Sequence, residues 1–325
     1  MRIPFAARLP LVFLICLLAA GLIGLGRWQR SHRKDAADTD EALLAERSCR
    51  ECHAAVWREW EASFHSRAWS DPNVQAAFQH FGNDRQCQSC HAPLPVLVAG
   101  VEAPAELRRE EPASGVNCLS CHATAGGGVA ARRTIADAPC RPVERAELTD
   151  GRLCGVCHQS IHEDWRQSRY AAEGQTCQSC HMPDEPGRDG GRSHLCLGGH
   201  DPDSVRRGAA IECRREAEEL VVSVRNHATG HNYPGERHHR LLQVQVIERD
   251  AAGQITLARQ MLIKGITPFR GESLDDKIRP DETVEVRFPV VEASVAADVR
   301  LLYKLFPWHS DREALVVHQV ELQLE

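Results

Sequence analysis

The chain is poor in the large side chains that usually fill a protein core. Aromatic residues make up only 5% of its 325 residues, and methionine occurs three times. It also lacks an excess of positive charge, because its formal net charge is −6 at pH 7. This balance argues against nucleic-acid binding, which depends on neutralising phosphates, and it favours a cationic partner.

Cysteine, in contrast, is abundant, and ten of the fourteen cysteines fall in five copies of Cys-x-x-Cys-His. The copies comprise the cysteine pairs Cys49 and Cys52, Cys87 and Cys90, Cys118 and Cys121, Cys154 and Cys157, and Cys177 and Cys180, followed by His53, His91, His122, His158 and His181. The two thiols of such a motif form thioethers to one haem, and the histidine is the proximal iron ligand. Zinc also binds paired cysteines, but it does not require a histidine after every second one. The sequence therefore predicts five covalently bound haem c groups.

All five motifs lie within residues 49–181. So short a segment cannot enclose five porphyrins separately, and we expect the haems to pack against one another and to supply much of the core. Four cysteines remain outside the motifs. Cys16 lies in an apolar stretch, and Cys140, Cys196 and Cys213 allow at most one intramolecular disulfide, whose pairing is left open.

The N-terminus carries an apolar run over residues 9–26, preceded by Arg2 and Arg8 and followed by further basic residues. It is either a cleaved signal peptide or a retained anchor. The run is just long enough to span a bilayer, and small residues are poorly placed for cleavage, which favours an anchor. We expect an anchor helix over residues 1–27 and a tether over 28–45. The protein would then lie at the bacterial inner membrane with its globular part in the periplasm; the alternative is a soluble periplasmic protein.

An internal repeat organises the segment that carries the motifs. Aligning Cys49 with Cys154 without gaps pairs Trp60 with Trp165, and the second motif of each unit reads Cys-Gln-Ser-Cys-His. The motif at Cys118 then lies between two related units. At the position of His65 the second unit has Tyr170, which is more often a packing residue than an iron ligand.

The expected fold is mainly α over residues 46–215, a haem-packed domain with little regular structure, followed by an antiparallel β-sandwich over 216–325. The spacing of Trp57, Trp60 and Phe64 predicts a helix after the first motif. Period-two patterns predict six strands, at residues 220–224, 242–247, 255–263, 284–288, 299–304 and 316–324.

A second axial ligand for each iron can come from histidine, because twelve of the seventeen histidines lie outside the motifs. His65 ends the first helix, and His194 and His200 flank a glycine-containing loop. His162, four residues beyond His158, shares its helix face and would serve a neighbouring haem or none. His227 and His231 bracket a turn that could deliver one imidazole from the sandwich. The role of His80 is left open. We interpret His238 and His239 as surface residues, and His309 and His318 as structural residues of the sandwich.

Several ordered motifs resemble those of multihaem c-type cytochromes related to hydroxylamine oxidoreductase and the nitrifier tetrahaem cytochrome. They are Ser63-Phe-His65, His181-Met-Pro183, His194-Leu-Cys-Leu-Gly-Gly-His200 and Gly230-His231-Asn-Tyr-Pro234. The resemblance implies that His65, His194, His200 and His231 are distal ligands. The chain departs from these relatives at Gly235, where threonine is frequent, and it lacks the eight motifs of the large catalytic members.

Together these features predict an electron-transfer protein more than a catalyst. It would pass electrons between a membrane redox partner and a soluble periplasmic redox protein. The alternative is an oxidoreductase of small nitrogen or sulfur oxyanions in which one haem keeps an open face. A third, weaker interpretation makes the sandwich a docking module within a larger respiratory complex.

Overall fold

The structure is a computed structural model that describes residues 49–125, 127–140, 142–188, 191–235, 240–264, 277–306 and 308–324. The expected anchor and tether, Cys16, His238 and His239 lie outside these ranges. Within them, no helix is both long enough and apolar enough to cross a membrane.

The N-terminal part consists of short helices joined by loops. They are α1 (Cys49–Cys52), α2 (Ala54–Ala62), α3 (Pro72–His80), α4 (Arg85–His91), α5 (Val96–Ala99), α6 (Cys118–His122), α7 (Arg152–Gly155), α8 (Gln159–Arg166), α9 (Arg169–Ala172), α10 (Cys177–His181) and α11 (Pro202–Gly208). Two 3₁₀ turns, Pro112–Ser114 and Ala146–Leu148, and a parallel strand pair, β1 (Val129–Ala131) with β2 (Pro142–Glu144), complete this part. The helix expected after the first motif is α2.

The C-terminal part is a sandwich of two antiparallel sheets. Its strands are β3 (Ala209–Glu216), β4 (Glu219–Asn226), β5 (Leu241–Arg249), β6 (Ile255–Lys264), β7 (Thr283–Pro289), β8 (Ala296–Lys304) and β9 (Leu315–Gln323). One sheet has the order β3-β4-β7 and the other β6-β5-β8-β9. Both inner faces contribute to one core, which includes Leu220, Val222, Val244 and Leu301. In β7, for example, Val284, Val286 and Phe288 alternate with exposed residues, as expected for a strand with one face towards the core.

Six of these strands match the six expected from period-two patterning. The seventh, β3, was not predicted because half of its residues are charged, all of them in the run Glu-Cys-Arg-Arg-Glu at its end. It forms an edge of its sheet, so that only one side of the strand is hydrogen-bonded. The sandwich thus begins at Ala209, before the expected boundary at residue 216.

Helix and strand each account for 28% of the described residues, so the chain as a whole has no excess of helix there. The reason is that the attachment motifs need only about one helical turn each, whereas the sandwich strands run for seven to ten residues.

Candidate haem sites

Each Cys-x-x-Cys-His motif folds as a single helical turn or at the junction of two short helices. Asn117 and Thr176 cap α6 and α10 with complete capping boxes, in which Ser120 and Ser179 return the hydrogen bond. Asp84 caps α4 in a simpler way. These caps stabilise helices that would be too short to persist alone, and they place both thiols and the histidine of a motif on one turn.

The motifs lie next to one another. The thiol of Cys49 is hydrogen-bonded to that of Cys118, and Cys154 and Cys177 form a second such pair. Cys157 contacts Cys90 in the same way. Motifs one and three, four and five, and two and four are therefore neighbours, as expected for attachment sites crowded into a short segment.

Three motif histidines face a histidine from elsewhere in the chain. The ring centroids of His158 and His65 are 6.3 Å apart, and those of His122 and His194 are 6.2 Å apart. His181 faces His231 at 6.2 Å with nearly parallel rings. Two metal–imidazole bonds of about 2 Å each, with two ring radii of about 1 Å, span roughly 6 Å. Each gap therefore fits one iron between two imidazoles.

The hydrogen bonds of these rings suit metal binding. Nδ1 of His122 donates to the carbonyl of Ala130 at 2.8 Å, and Nδ1 of His91 donates to that of Ala68 at 2.7 Å. The same atom donates to a carbonyl in His181, His194 and His231. A carbonyl can only accept, so Nδ1 carries the proton and the lone pair of Nε2 is left for a metal.

Burial keeps two of the facing histidines neutral. It is the main cause that lowers the pKa of His65 to about 4, with a further contribution from His158. Burial likewise lowers the pKa of His231 to about 4, although the Asn232 carbonyl opposes the shift. A neutral imidazole is the form that binds iron, so both side chains are ready for ligation near neutral pH.

The backbone of His65 is fixed by the segment that precedes the third motif. The amide of Val116 donates to the His65 carbonyl at 2.9 Å, and Trp60 Nε1 donates to the Val116 carbonyl at 2.8 Å. Gly115 lies so close that an added Cβ would come within 2.4 Å of the His65 carbonyl oxygen. This close approach could not be predicted from the sequence, since a glycine in a loop does not reveal which backbone it contacts.

His231 is fixed from within the sandwich. The side-chain amide of Asn226, at the end of β4, donates to the carbonyls of His231 and Ile278, each at 3.0 Å. Thr229 also donates to the His231 carbonyl, at 2.7 Å. The turn that the sequence singled out is thus a rigid support for one of the facing imidazoles.

The remaining sites named from the sequence are placed differently. His162 lies over Gly155, on the face of its own motif, as its spacing from His158 implied. His200 stacks on Phe64 with ring centroids 3.6 Å apart, and its Nε2 accepts from Arg240 at 3.3 Å. The structure brings neither ring opposite a motif histidine in the ring contacts of the described residues, and both assignments stay predictions.

Tyr170 is a packing residue. Its ring lies against Gly230, where a Cβ would meet the Tyr170 side chain at 3.3 Å. The Arg169 guanidinium covers the ring at 4.3 Å and donates to the phenol oxygen at 3.1 Å. Of the thiols outside the motifs, the structure describes Cys140, Cys196 and Cys213, and none of these three forms a disulfide. Burial raises the pKa of Cys196 to about 12 and that of Cys213 to about 11.

His194 is tied to α2 by Glu59, another residue that sequence reasoning missed. The Glu59 carboxylate accepts from the His194 amide at 2.9 Å and pairs with Arg188. The hydrogen bond from Arg188 is the main cause that lowers the pKa of Glu59, and partial burial opposes it. The carboxylate is therefore held ionised more strongly in the folded protein than in the unfolded chain.

We expect Glu59→Gln to destabilise the protein by roughly 1.5–3 kcal/mol, the usual contribution of hydrogen bonds to charged groups. The contribution of Glu59 is fully present above the unfolded-chain pKa of about 4.3 and is lost as pH falls through the lower folded value. Denaturant unfolding at neutral pH and near pH 3 measures both. Glu163→Gln, in an exposed pair with Arg166, is the control and should change stability by at most about 0.5 kcal/mol. Equal effects of the two variants at neutral pH would contradict the assignment.

Comparison with known proteins agrees with this geometry. Residues 48–123 match the family described as cytochrome c554 and c-prime, and residues 105–182 match that described as cytochrome c7 and related cytochrome c. No curated protein matches the sequence. The family matches agree with the repeated Cys-x-x-Cys-His turns and with the imidazoles that face three of the motif histidines. The chain is therefore a multihaem c-type cytochrome. Haem c is the covalently bound cofactor of this class, and electron transfer is its function.

Among solved structures, the chain is similar to a penta-heme cytochrome c552 from Thermochromatium tepidum. The TM-score is 0.63 at 17% sequence identity, and the match covers 85% of this chain and 97% of the other. At this identity the likeness shows the fold alone. Because the match covers 85% of this chain, the shared fold includes both the segment that carries the five motifs and the sandwich. Two further matches have TM-scores too low to carry an argument. Hypothetical protein PH1083 from Pyrococcus horikoshii OT3 matches with a TM-score of 0.21 at 15% identity, over 36% of this chain and 85% of that one. Target SoR45 of the Northeast Structural Genomics Consortium matches with a TM-score of 0.19 at 14% identity, over 35% of this chain and 80% of that one.

Proposed function

We propose that the chain holds five haem c groups and carries electrons between a membrane redox partner and a soluble periplasmic redox protein. Haem supplies one-electron chemistry at iron, and the protein supplies attachment, axial ligands and burial. The five motifs provide the thioether cysteines and proximal histidines. We assign His65, His194 and His231 as distal ligands for the motifs ending at His158, His122 and His181.

The observation that carries this proposal is the presence of three imidazole pairs at 6.2–6.3 Å. An iron held by two histidines has no free position for a substrate, and its ligands need not change on electron transfer. Such sites suit a carrier better than a catalyst. The thiol contacts between motifs support the same function, because adjacent attachment sites favour transfer from one cofactor to the next.

The adjacency also gives an order to the sites. Motif three neighbours motif one through Cys118 and Cys49, and motif four neighbours motif five through Cys154 and Cys177. The buried Cys121 of motif three lies in the neighbourhood of both Cys154 and Cys157 of motif four. The attachment sites thus form a continuous series from one through three and four to five, with motif two beside motif four.

The test uses the full-length protein loaded with haem. A pyridine haemochrome assay should give five haems per chain, and electron paramagnetic resonance of the oxidised protein should be dominated by low-spin ferric signals. The reduced protein should pass electrons rapidly to a small oxidised soluble cytochrome c and remain stable with nitrite. Rapid turnover of nitrite, with a large high-spin signal that shifts on its addition, would support the oxyanion oxidoreductase instead.

Recovery of the full chain in carbonate-washed membranes tests the anchor at residues 9–26.

A further inference from the structure

A partly buried ion pair joins the sandwich to the haem segment. Lys277 Nζ lies 2.7 Å from Asp164 Oδ2, and the two side chains are only 10% and 17% exposed. Most ion pairs elsewhere in the described residues are much more exposed; that of Arg287 with Glu219, for example, has side chains 43% and 45% exposed. Removing two charges from water is costly, so such a pair is weak evidence for a purely stabilising role.

The Lys277 end of the pair is held beside the His231 turn. Lys277 precedes Ile278, which is fully buried and exchanges two backbone hydrogen bonds with Tyr233, at 2.7 and 2.9 Å. Asn226 bonds the carbonyls of both Ile278 and His231. The backbone next to Lys277 is therefore tied to the turn that presents the His231 imidazole, and the contact with Asp164 holds the ammonium group.

The Asp164 end lies on α8, the helix that starts directly after His158. The ion pair thus connects α8, which follows the fourth motif, to the turn whose His231 faces the histidine of the fifth motif. The same helix approaches the His231 ring, since a Cβ at Gly235 would lie 3.7 Å from that ring and 3.9 Å from Ile161, one turn before Asp164. A charge placed so close to an axial ligand also acts on the iron beyond it. A nearby cation favours the less positive ferrous state, and a nearby anion favours the ferric state.

We propose that Asp164 and Lys277 act on the reduction potential of the haem on His181 as a compensated charge pair, so that loss of either charge alone shifts that potential. The inference rests on the proposed ligation of that haem by His231. As long as both charges are present, their effects on the potential largely cancel. Loss of one partner leaves the other uncompensated in a poorly hydrated place, where its field is only weakly screened.

Potentiometric titration of the full-length haem protein tests this, with each haem followed by its optical and low-spin paramagnetic signals. We expect Lys277→Met to lower the potential of one haem and Asp164→Asn to raise it. The double variant should lie between the two, near the unchanged protein. Lys277→Arg keeps the charge and should leave the potential within error. Arg166→Gln, on the same helix in an exposed pair with Glu163, is the matched control and should also have no effect.

A merely structural role predicts a different pattern, because loosening the turn would shift the potential in the same direction in both single variants. Shifts of the same sign, no shift in either variant, or a Lys277→Arg shift equal to that of Lys277→Met would overturn the proposal. The ligand assignment is tested separately by the spin state of a His231 variant. If that variant kept every haem low-spin while the two charge variants still shifted oppositely, the ligation would fail and the charge effect would stand.

Discussion

Replacement of His231 by alanine is expected to convert one haem per chain from low-spin to high-spin. The His231 ring faces that of His181 at 6.2 Å, and its Nδ1 donates to the Asn232 carbonyl, so Nε2 is the atom available to iron. Without the imidazole, the iron on His181 keeps only its proximal ligand. Electron paramagnetic resonance of the oxidised protein should then show a new high-spin ferric signal that disappears on addition of cyanide.

His227→Ala is the matched control for this experiment. His227 lies at the other end of the same turn and is exposed, and its amide donates to the Gly208 carbonyl through the backbone, which the substitution retains. We expect every haem of the His227→Ala variant to keep the spin state that it has in the unchanged protein. A high-spin signal of equal size in both variants would mean that the turn is disturbed generally, and an unchanged spectrum in His231→Ala would refute the assignment of His231 as a ligand.

The attachment sites and most of the sandwich could be predicted from sequence because their signals are local. A Cys-x-x-Cys-His motif is complete within five residues. A strand such as β5 is predicted by apolar residues at every second position, here the buried Leu242, Val244 and Val246. These patterns depend on chemistry and periodicity within one short segment. They do not depend on which distant part of the chain lies opposite.

The pairing of the histidines could not be predicted, because it is set by long-range packing. His65, in the first unit of the repeat, faces His158 in the second unit, and His194 follows the fifth motif but faces His122 of the third. The resemblance to known cytochromes implied that His65, His194 and His231 are ligands. It did not indicate which iron each would serve.

The same packing explains the lapse of the repeat at Tyr170. His65, in the first unit, faces His158 in the second, so the second unit does not need a histidine at Tyr170 to face His158. Instead the ring of Tyr170 lies under Gly230, next to the turn that holds His231. At this position the second unit thus contacts the sandwich through Tyr170. The pair of Arg169 with Asp281 beside it serves the same junction.

Gly115→Ala is expected to have the second large effect, although the residue contacts no cofactor in its own right. Gly115 adopts φ 61° and ψ −141°, a conformation that residues with a side chain rarely adopt. An added Cβ would also lie 2.4 Å from the His65 carbonyl oxygen and 2.7 Å from that of Ser66. Backbone atoms cannot rotate away as a flexible side chain would, so either the loop or the His65 backbone must move.

We expect this variant to lose roughly 2–6 kcal/mol of stability, the sum of about 1–3 for backbone strain and about 1–3 for overpacking. Thermal unfolding of the haem-loaded protein measures the loss. Because the displaced backbone carries His65, a high-spin signal from the haem on His158 should accompany it. His65→Ala should produce the same signal with a smaller loss of backbone order, which identifies the haem affected.

Gly82→Ala separates the two causes. Gly82 also has a positive φ, of 71°, but a Cβ there would meet nothing within 4 Å. Its substitution therefore introduces backbone strain without a collision, at a cost of about 1–2 kcal/mol, and should leave every haem low-spin. If Gly115→Ala behaved like Gly82→Ala in both stability and spin state, the close approach of Gly115 to His65 would have no role in holding that ligand. A high-spin signal confined to Gly115→Ala would instead show that a glycine in the loop before the third motif, because it has no side chain, allows His65 of the first unit to keep its position as an axial ligand.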